Sequence, residues 1–282
     1  MREPKSINKM ATTKNVITVM AMITALTFLM AVSGCKEDET TTPPPPRTTT
    51  YTLKVKDVLG VSGTATFTEI SGTSTTVTII LTDAISGFHP AEICSNSAVE
   101  GGPVVITLND VNATGKSITV VTSMTYSQLI AYDGFINIHK SATEPNIIIA
   151  QGDIGGNVIT TTNKSYKLDT INSFGVSGTA LFEKRVNGNT LVTITLLGAI
   201  SGQSYPATIN LGSISTVGGG PVVATLSNVD GTSGKSYTNI RKLDNGTAIT
   251  YDNWLVYDGY INIYQTSVSL SNIICHGNIG SN

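Results

Sequence analysis

Hydroxyl-bearing and apolar side chains alternate along much of this chain. Thr64-Ala-Thr-Phe-Thr68 and Thr76-Val-Thr-Ile-Ile-Leu81 run with a period close to two. That period sends successive side chains to opposite faces of a pleated strand, as in a half-buried sheet. Clusters of Gly, Ser, Asn and Asp separate the runs. Helical periodicity is not sustained anywhere beyond the amino-terminal segment. Tyr126-Ser-Gln-Leu-Ile-Ala131 and Tyr251 to Val256 each predict one helical turn. The pattern predicts about seven or eight short strands per hundred residues, an all-β chain built as antiparallel sandwiches.

The pattern also occurs twice. Gly60-Val-Ser-Gly-Thr-Ala65 matches Gly175-Val-Ser-Gly-Thr-Ala180, and Ala84-Ile-Ser-Gly87 matches Ala199-Ile-Ser-Gly202. Gly101-Gly-Pro-Val104 matches Gly219-Gly-Pro-Val222, and Tyr132-Asp-Gly-Phe-Ile-Asn-Ile-His139 matches Tyr257-Asp-Gly-Tyr-Ile-Asn-Ile-Tyr264. The offset grows from 115 to 118 to 125 residues along the chain. Insertions therefore fall between the strand-like blocks, where loops tolerate them. The expected organisation is a first domain over residues 51–157 and a second over 165–282, with Thr160 to Lys164 as a short polar linker.

Ahead of the repeats lies a different composition. Residues 1–15 are polar and net basic, and Val16 to Val32 is an apolar or Thr-containing run too short for a comfortable membrane span. This reads as a signal peptide over residues 1–34. Val32-Ser-Gly-Cys35 resembles the lipobox of bacterial lipoproteins. The resemblance implies cleavage before Cys35, acylation of Cys35 (palmitate or similar chains), and stable membrane anchoring by several acyl chains together. Lys36-Glu-Asp-Glu39 resembles a short acidic signal that directs lipoproteins to the outer face of the outer membrane. Thr40 to Thr50 contains four successive prolines, which favour polyproline geometry, so residues 35–50 read as a lipidated, semi-rigid stalk.

Charge narrows the partners. The chain holds 17 basic and 19 acidic residues, four of the former and one of the latter in the leader, leaving 13 against 18. Phosphate binding calls for a clustered basic face, so nucleic acid is not an expected partner. There is no Gly-x-Ser-x-Gly elbow, no Gly-x-x-x-x-Gly-Lys loop and no His-Glu-x-x-His helix. An enzyme is not expected, and no cofactor is implied.

The ordered blocks Ser86-Gly-Phe-His-Pro-Ala-Glu-Ile-Cys94, Gly101-Gly-Pro-Val104, Phe135-Ile-Asn-Ile-His139 and Ile149-Ala-Gln-Gly-Asp-Ile154 resemble the chordin-type (CHRD) domain. The resemblance covers both repeats. It implies two tandem immunoglobulin-like Greek-key sandwiches, similar to Cu/Zn superoxide dismutase. The family's first block reads His-Pro-Ala-His-Ile-His and its later block ends in Asn-x-His. Here the first repeat has His89, Glu92, Cys94 and His139 at those places, and the second has Tyr205, Thr208, Asn210 and Tyr264.

Alternation places Glu92, Cys94 and His139 on the face away from the isoleucines. With His89 they supply N, O and S donors that zinc or copper would accept. The competing reading is a set of surface polar residues, favoured because the second repeat carries none of them. Cys275, at the place of Ala150, is expected to face inward. A Cys94–Cys275 disulfide is not expected, since it would need α-carbons within about 7 Å. Trp254 falls where the first repeat has Leu129. It reads as core, against an alternative as a sugar-stacking platform. The resulting expectation is a lipid-anchored, surface-displayed outer-membrane protein with a binding, adhesion or structural role toward an envelope protein. Metal or redox chemistry in the first domain and surface glycan binding are the alternatives.

Overall fold

The computed structural model describes residues 45–83, 85–171, 174–266, 270 and 272–282. The expected signal peptide, Cys35, the acidic cluster and the first half of the proline run lie outside the described residues. In the first copy the strands are β1 (Thr48–Val55), β2 (Ser62–Ser71), β3 (Ser74–Thr82), β4 (His89–Ser95), β5 (Val104–Val111), β6 (Lys116–Val121), β7 (Gly134–Ser141) and β8 (Glu144–Ile154), with a short helix α1 (Tyr126–Ala131) before β7. The second copy holds β9 (Ile159–Thr170), β10 (Ser177–Arg185), β11 (Thr190–Leu197), β12 (Ser204–Leu211), β13 (Val222–Asp230), β14 (Lys235–Ile240), α2 (Tyr251–Trp254), β15 (Asp258–Tyr264) and β16 (Ile273–Gly280).

The first copy is an eight-stranded antiparallel sheet in the order β5-β4-β7-β8-β1-β2-β3-β6. The second is a closed barrel in the order β10-β11-β14-β13-β12-β15-β16-β9. Adding eight to each strand number of the first reproduces the neighbours of the second, which adds the β13–β14 pair that closes the barrel. The expected all-β duplication is therefore present, with eight strands per copy.

Period-two alternation accounts for the register. In β2, Ala65 and Phe67 are buried between half-exposed threonines. In β3, Thr75, Val77, Ile79 and Leu81 point inward, and Ile80 points out. Each copy closes on its own core. One gathers Leu53, Phe67, Ile79, Ile93, Leu129 and Ile138; the other gathers Phe182, Ile194, Ile209, Trp254, Ile263 and Cys275. Fully burying one such side chain contributes on the order of 1.5–3 kcal/mol. Both helices start on a reciprocal cap. The Gln128 amide N–H donates to Thr125 Oγ1 while the Thr125 amide donates to Gln128 Oε1, and Thr250 and Asn253 repeat the arrangement. These caps fix short helices that bury Tyr126 and Leu129 in one copy and Tyr251 and Trp254 in the other.

Two boundaries differ from expectation. Thr48–Thr50, read as the end of the stalk, pair with β2 as the start of β1, and Arg47 holds Glu69 through two bonds of 2.6 and 2.7 Å. Thr160–Lys164, read as a linker, lie inside β9, where Asn163 pairs with Glu183 and Lys164 with Phe182. The reason is common to both. These segments lack inward apolar side chains, and their place in the sheet rests on the main-chain ladder, which leaves no hydrophobic alternation to read.

With no linker, the copies join directly. Pro46–Asn282 is one compact unit. Val186 N–H donates to the Val158 carbonyl and Asn187 N–H to the Gly156 carbonyl, both at 2.9 Å. Arg185, at the end of β10, is 0% exposed and donates Nη1–H to Asp153 Oδ2 at 2.7 Å and to the Asn157 carbonyl. Asn187 bonds Asp133 at 2.9 Å, and Asn239 bonds Glu100 at 3.0 Å.

Candidate functional site

Strands β4 and β7 pair so that Glu92 lies opposite Asn137 and Cys94 opposite Phe135. Ala91, Ile93, Ile136 and Ile138 face the core. Glu92, Cys94, Asn137 and His139 therefore share the outer face, as the alternation predicts. Glu92 is the hub. His139 Nε2 lies 3.0 Å from Glu92 Oε1, and the Cys94 thiol donates to the same oxygen at 3.4 Å. The other ring nitrogen, Nδ1, bonds the Pro145 carbonyl at 2.5 Å. With Nδ1–H donated there, the contact to Glu92 is an imidazolium–carboxylate pair when His139 is protonated.

His89 does not share the donor set. Its ring is 1% exposed, with Nδ1 at 2.6 Å from the Lys140 carbonyl and Nε2 at 2.9 Å from the Ile85 carbonyl. Both nitrogens are spent on main-chain oxygens, so His89 ties the loop before β4 to the end of β7. His89 thus stands apart from Glu92, Cys94 and His139, which gather on the Glu92 carboxylate. Among the described residues, no group of three or more His, Cys, Asp and Glu is placed to hold a metal ion.

The outer face is covered rather than open. Cys94 is 1% exposed and Phe135 is buried beside it. The loop after β4 folds back over the row Cys94–Phe135–Asp153: Ala98 N–H donates to Asp153 Oδ1 at 2.7 Å, and Ser95 N–H to the Pro103 carbonyl at 3.0 Å. Burial, reinforced by the Glu92 charge and hydrogen bond, pushes the Cys94 thiol up to about 12. A thiol held protonated at neutral pH is a poor nucleophile. Cys275 is buried in the second core, as expected, and burial pushes it to about 12 as well. Both cysteines are free.

In the second copy the same positions carry neutral groups. Thr208 Oγ1–H donates to Asn210 Oδ1 at 2.7 Å, and Tyr264 OH lies 3.1 Å from Thr208 Oγ1. Asn262 Nδ2 reaches Tyr264 OH at 3.4 Å. The covering loop is kept: Ile214 N–H donates to Asn278 Oδ1 at 2.9 Å, and Gly220 N–H to Tyr260 OH at 2.8 Å. Charged and neutral sets thus occupy one frame.

Sequence reasoning missed three groups. Asn137 and Asn262, one in each Ile-Asn-Ile block, leave a buried Oδ1 without a partner among the described residues. Asp153 and Asn278 anchor the covering loops. Arg185 pins the copies together. The repeated Asn between two isoleucines was visible as a pattern, but its burial was not. Trp254 is fully buried, packed at 6.1 Å between ring centres from Phe182 and 4.9 Å from Tyr257. It offers no surface for a sugar. His276, beside Asp169, is shifted below the ordinary histidine range by burial, against the opposing pull of that carboxylate. Cys35 lies outside the described residues. Comparison with family models, with curated proteins and with solved structures finds no match.

Proposed function

We propose that this protein is a lipid-anchored envelope protein, tethered through Cys35 at the outer membrane, whose two CHRD-like domains serve a non-enzymatic binding, adhesion or structural role. The observation that carries the non-enzymatic part is the exchange of side chains between copies. Glu92, Cys94 and His139 in one frame correspond to Thr208, Asn210 and Tyr264 in the other, under the same covering loop. Those residues act as packing and hydrogen-bond fillers, interchangeable within one scaffold.

The finer fold assignment, an immunoglobulin-like Greek-key sandwich similar to Cu/Zn superoxide dismutase, belongs to the same proposal. Its support is the path of β1, which pairs with β2 from Thr48 to Leu53 and with β8 only at Lys54 and Val55. The strand thereby links a β1-β2-β3-β6 half to a β5-β4-β7-β8 half.

Mass spectrometry of the amino-terminal peptide tests the anchor. A diacylated or triacylated Cys35 at the new terminus is the expected result, and an unmodified Cys35 refutes it. Affinity capture with the full chain from solubilised envelopes tests the role, with a reproducible envelope protein as the expected product. A second reading is metal binding in the first copy, favoured by the Glu92 Oε1 hub that gathers Cys94 and His139. Stoichiometric zinc or copper in the purified protein, lost in Cys94→Ser, would establish it.

A further inference from the structure

The two copies treat one sheet edge differently. In the second, the connection from β14 to α2 is Arg241–Thr250, ten residues; in the first, from β6 to α1, it is Thr122–Thr125, four. The longer one folds as a small hairpin, with Lys242 bridged to Ala248 and Leu243 N–H donating to the Thr247 carbonyl at 2.8 Å. It lies on the outer edge of β13. Asp244 N–H donates to the Val223 carbonyl at 2.9 Å. The Asp244 carboxylate accepts from Thr225 twice, from N–H at 3.0 Å and from Oγ1–H at 2.8 Å. Leu243 packs against the core there together with Val223.

The first copy has the receptor without the hairpin. Strand β5 reads Val-Val-Ile-Thr-Leu where β13 reads Val-Val-Ala-Thr-Leu, so Val105 and Thr107 stand where Val223 and Thr225 do. The pairing agrees: Thr107 lies opposite Glu92 as Thr225 lies opposite Thr208, and both strand pairs carry register shifts at the same two places. Thr107 is exposed, and Val104 and Val105 are 50% and 40% exposed. Two residues further on, both edges are closed alike, by Asn109 N–H to Thr119 Oγ1 at 2.8 Å and by Ser227 N–H to Thr238 Oγ1 at 2.9 Å. The open stretch is therefore short, about three residues around Val105–Thr107. A bare edge with an apolar shoulder is a pairing site for another chain.

We propose that the β5 edge at Val105–Thr107 docks a turn-forming segment of a separate protein, one carrying an apolar residue followed directly by Asp. The Thr107 amide and hydroxyl donate to that carboxylate, the amide of the same Asp donates to the Val105 carbonyl, and the apolar residue covers Val105 and the half-buried Ile106. Donors without a counter-charge are matched to an acidic acceptor, as Thr225 is to Asp244. This names a partner class for the binding reading above and rests on it only in supposing that a partner exists. Envelope capture tests that supposition, and the peptide experiment below tests the edge itself.

The probe is a synthetic peptide of residues 241–249, cyclised to hold the hairpin, added to the full chain. Amide hydrogen exchange is read at single-residue level. The free protein is expected to exchange at Thr107 at least tenfold faster than at Thr225, and the peptide to slow Thr107 at least tenfold. Asp244→Asn in the peptide is expected to weaken binding about tenfold, since bonds to a charged acceptor are the stronger class. Thr107→Val in the protein, an exposed near-isosteric change, is expected to weaken it about fivefold. Equal binding by the Asn peptide, no protection at Thr107, or a Thr107 amide already slow in the free protein would each overturn the proposal. Concentration-dependent protection of Thr107 without peptide would replace it with pairing between two copies of this chain.

Discussion

Arg185 of the second copy and Asp153 of the first meet at 2.7 Å, with the guanidinium fully buried and its Nε and Nη2 without other partners among the described residues. Asp153 also holds the covering loop through Ala98, so one carboxylate fixes both the outer face of the first copy and its junction with the second. Removing the carboxylate leaves a buried, uncompensated charge, which costs about 3–5 kcal/mol. Asp153→Asn keeps an acceptor for Ala98, as Asn278 does in the second copy, but loses the charge. Both variants are expected to lower the midpoint of chemical unfolding, with Asp153→Ala the worse. Midpoints indistinguishable from the parent would show that the junction does not depend on this pair.

Glu92, Cys94 and His139 are expected to be replaceable only as a set. The triple change Glu92→Thr, Cys94→Asn, His139→Tyr installs the second copy's neutral network and is expected to keep the unfolding free energy within about 2 kcal/mol of the parent. Glu92→Thr alone strips the shared acceptor from Cys94 and His139 and is expected to cost about 1–3 kcal/mol. Unfolding of the parent, the triple variant and the single variant in parallel checks this. A triple variant less stable than the single would defeat the exchange argument on which the scaffold reading stands.

The two buried thiols set an alkaline limit. Their folded values of about 12 stand above the ordinary value of 9.0, so the folded state binds more protons than the unfolded state between those limits. Their contribution is fully present below pH 9.0 and is lost as pH rises toward about 12. The tyrosines raised by burial, Tyr51, Tyr166, Tyr251 and Tyr257, push in the same direction. Cys275→Ala copies Ala150 and is expected to flatten the alkaline slope with little change at neutral pH. Thiol titration is expected to label neither Cys94 nor Cys275 in the folded protein at pH 8 and both in denaturant. Rapid labelling of Cys94 in the folded protein would contradict its burial.

Gly101 and Gly102 carry separate requirements. Gly101 has φ +68°, and a Cβ there meets open space. Alanine at 101 therefore bears only the left-handed strain, about 1–2 kcal/mol. Gly102 has no such angle, but a Cβ there would strike the Ser95 carbonyl. Alanine at 102 must move the covering loop and is expected to be the more destabilising change by thermal unfolding. Gly219 and Gly220 repeat the division, with φ +75° at the first and the Leu211 carbonyl against the second. Equal costs at the two positions would mean that the loop gives way freely.

Much of this architecture was legible in the chain. Period-two runs placed Ala65, Phe67, Val77 and Ile79 inside, and the doubled blocks announced two like bodies. The runs Tyr126–Ala131 and Tyr251 to Val256 marked both short helices. Local spacing determines which face a strand residue takes, because the pleat itself has that period. The sequence by itself therefore determined the strands, the duplication, the inward place of Cys275 and the outward direction of Glu92, Cys94 and His139.

What lies above that outward face was decided by tertiary structure alone. The loops after β4 and β12 bury it through contacts between residues some 55 to 64 positions apart, Ala98 with Asp153 and Ile214 with Asn278. The same long-range closure drew Thr48–Thr50 and Thr160–Lys164 into strands, turned His89 toward two main-chain carbonyls, and sealed Arg185 between the copies. It also left Thr107 bare where Thr225 is covered. Each of these outcomes depends on which strands become neighbours, and neighbour choice is a property of the closed sheet rather than of any single run of residues.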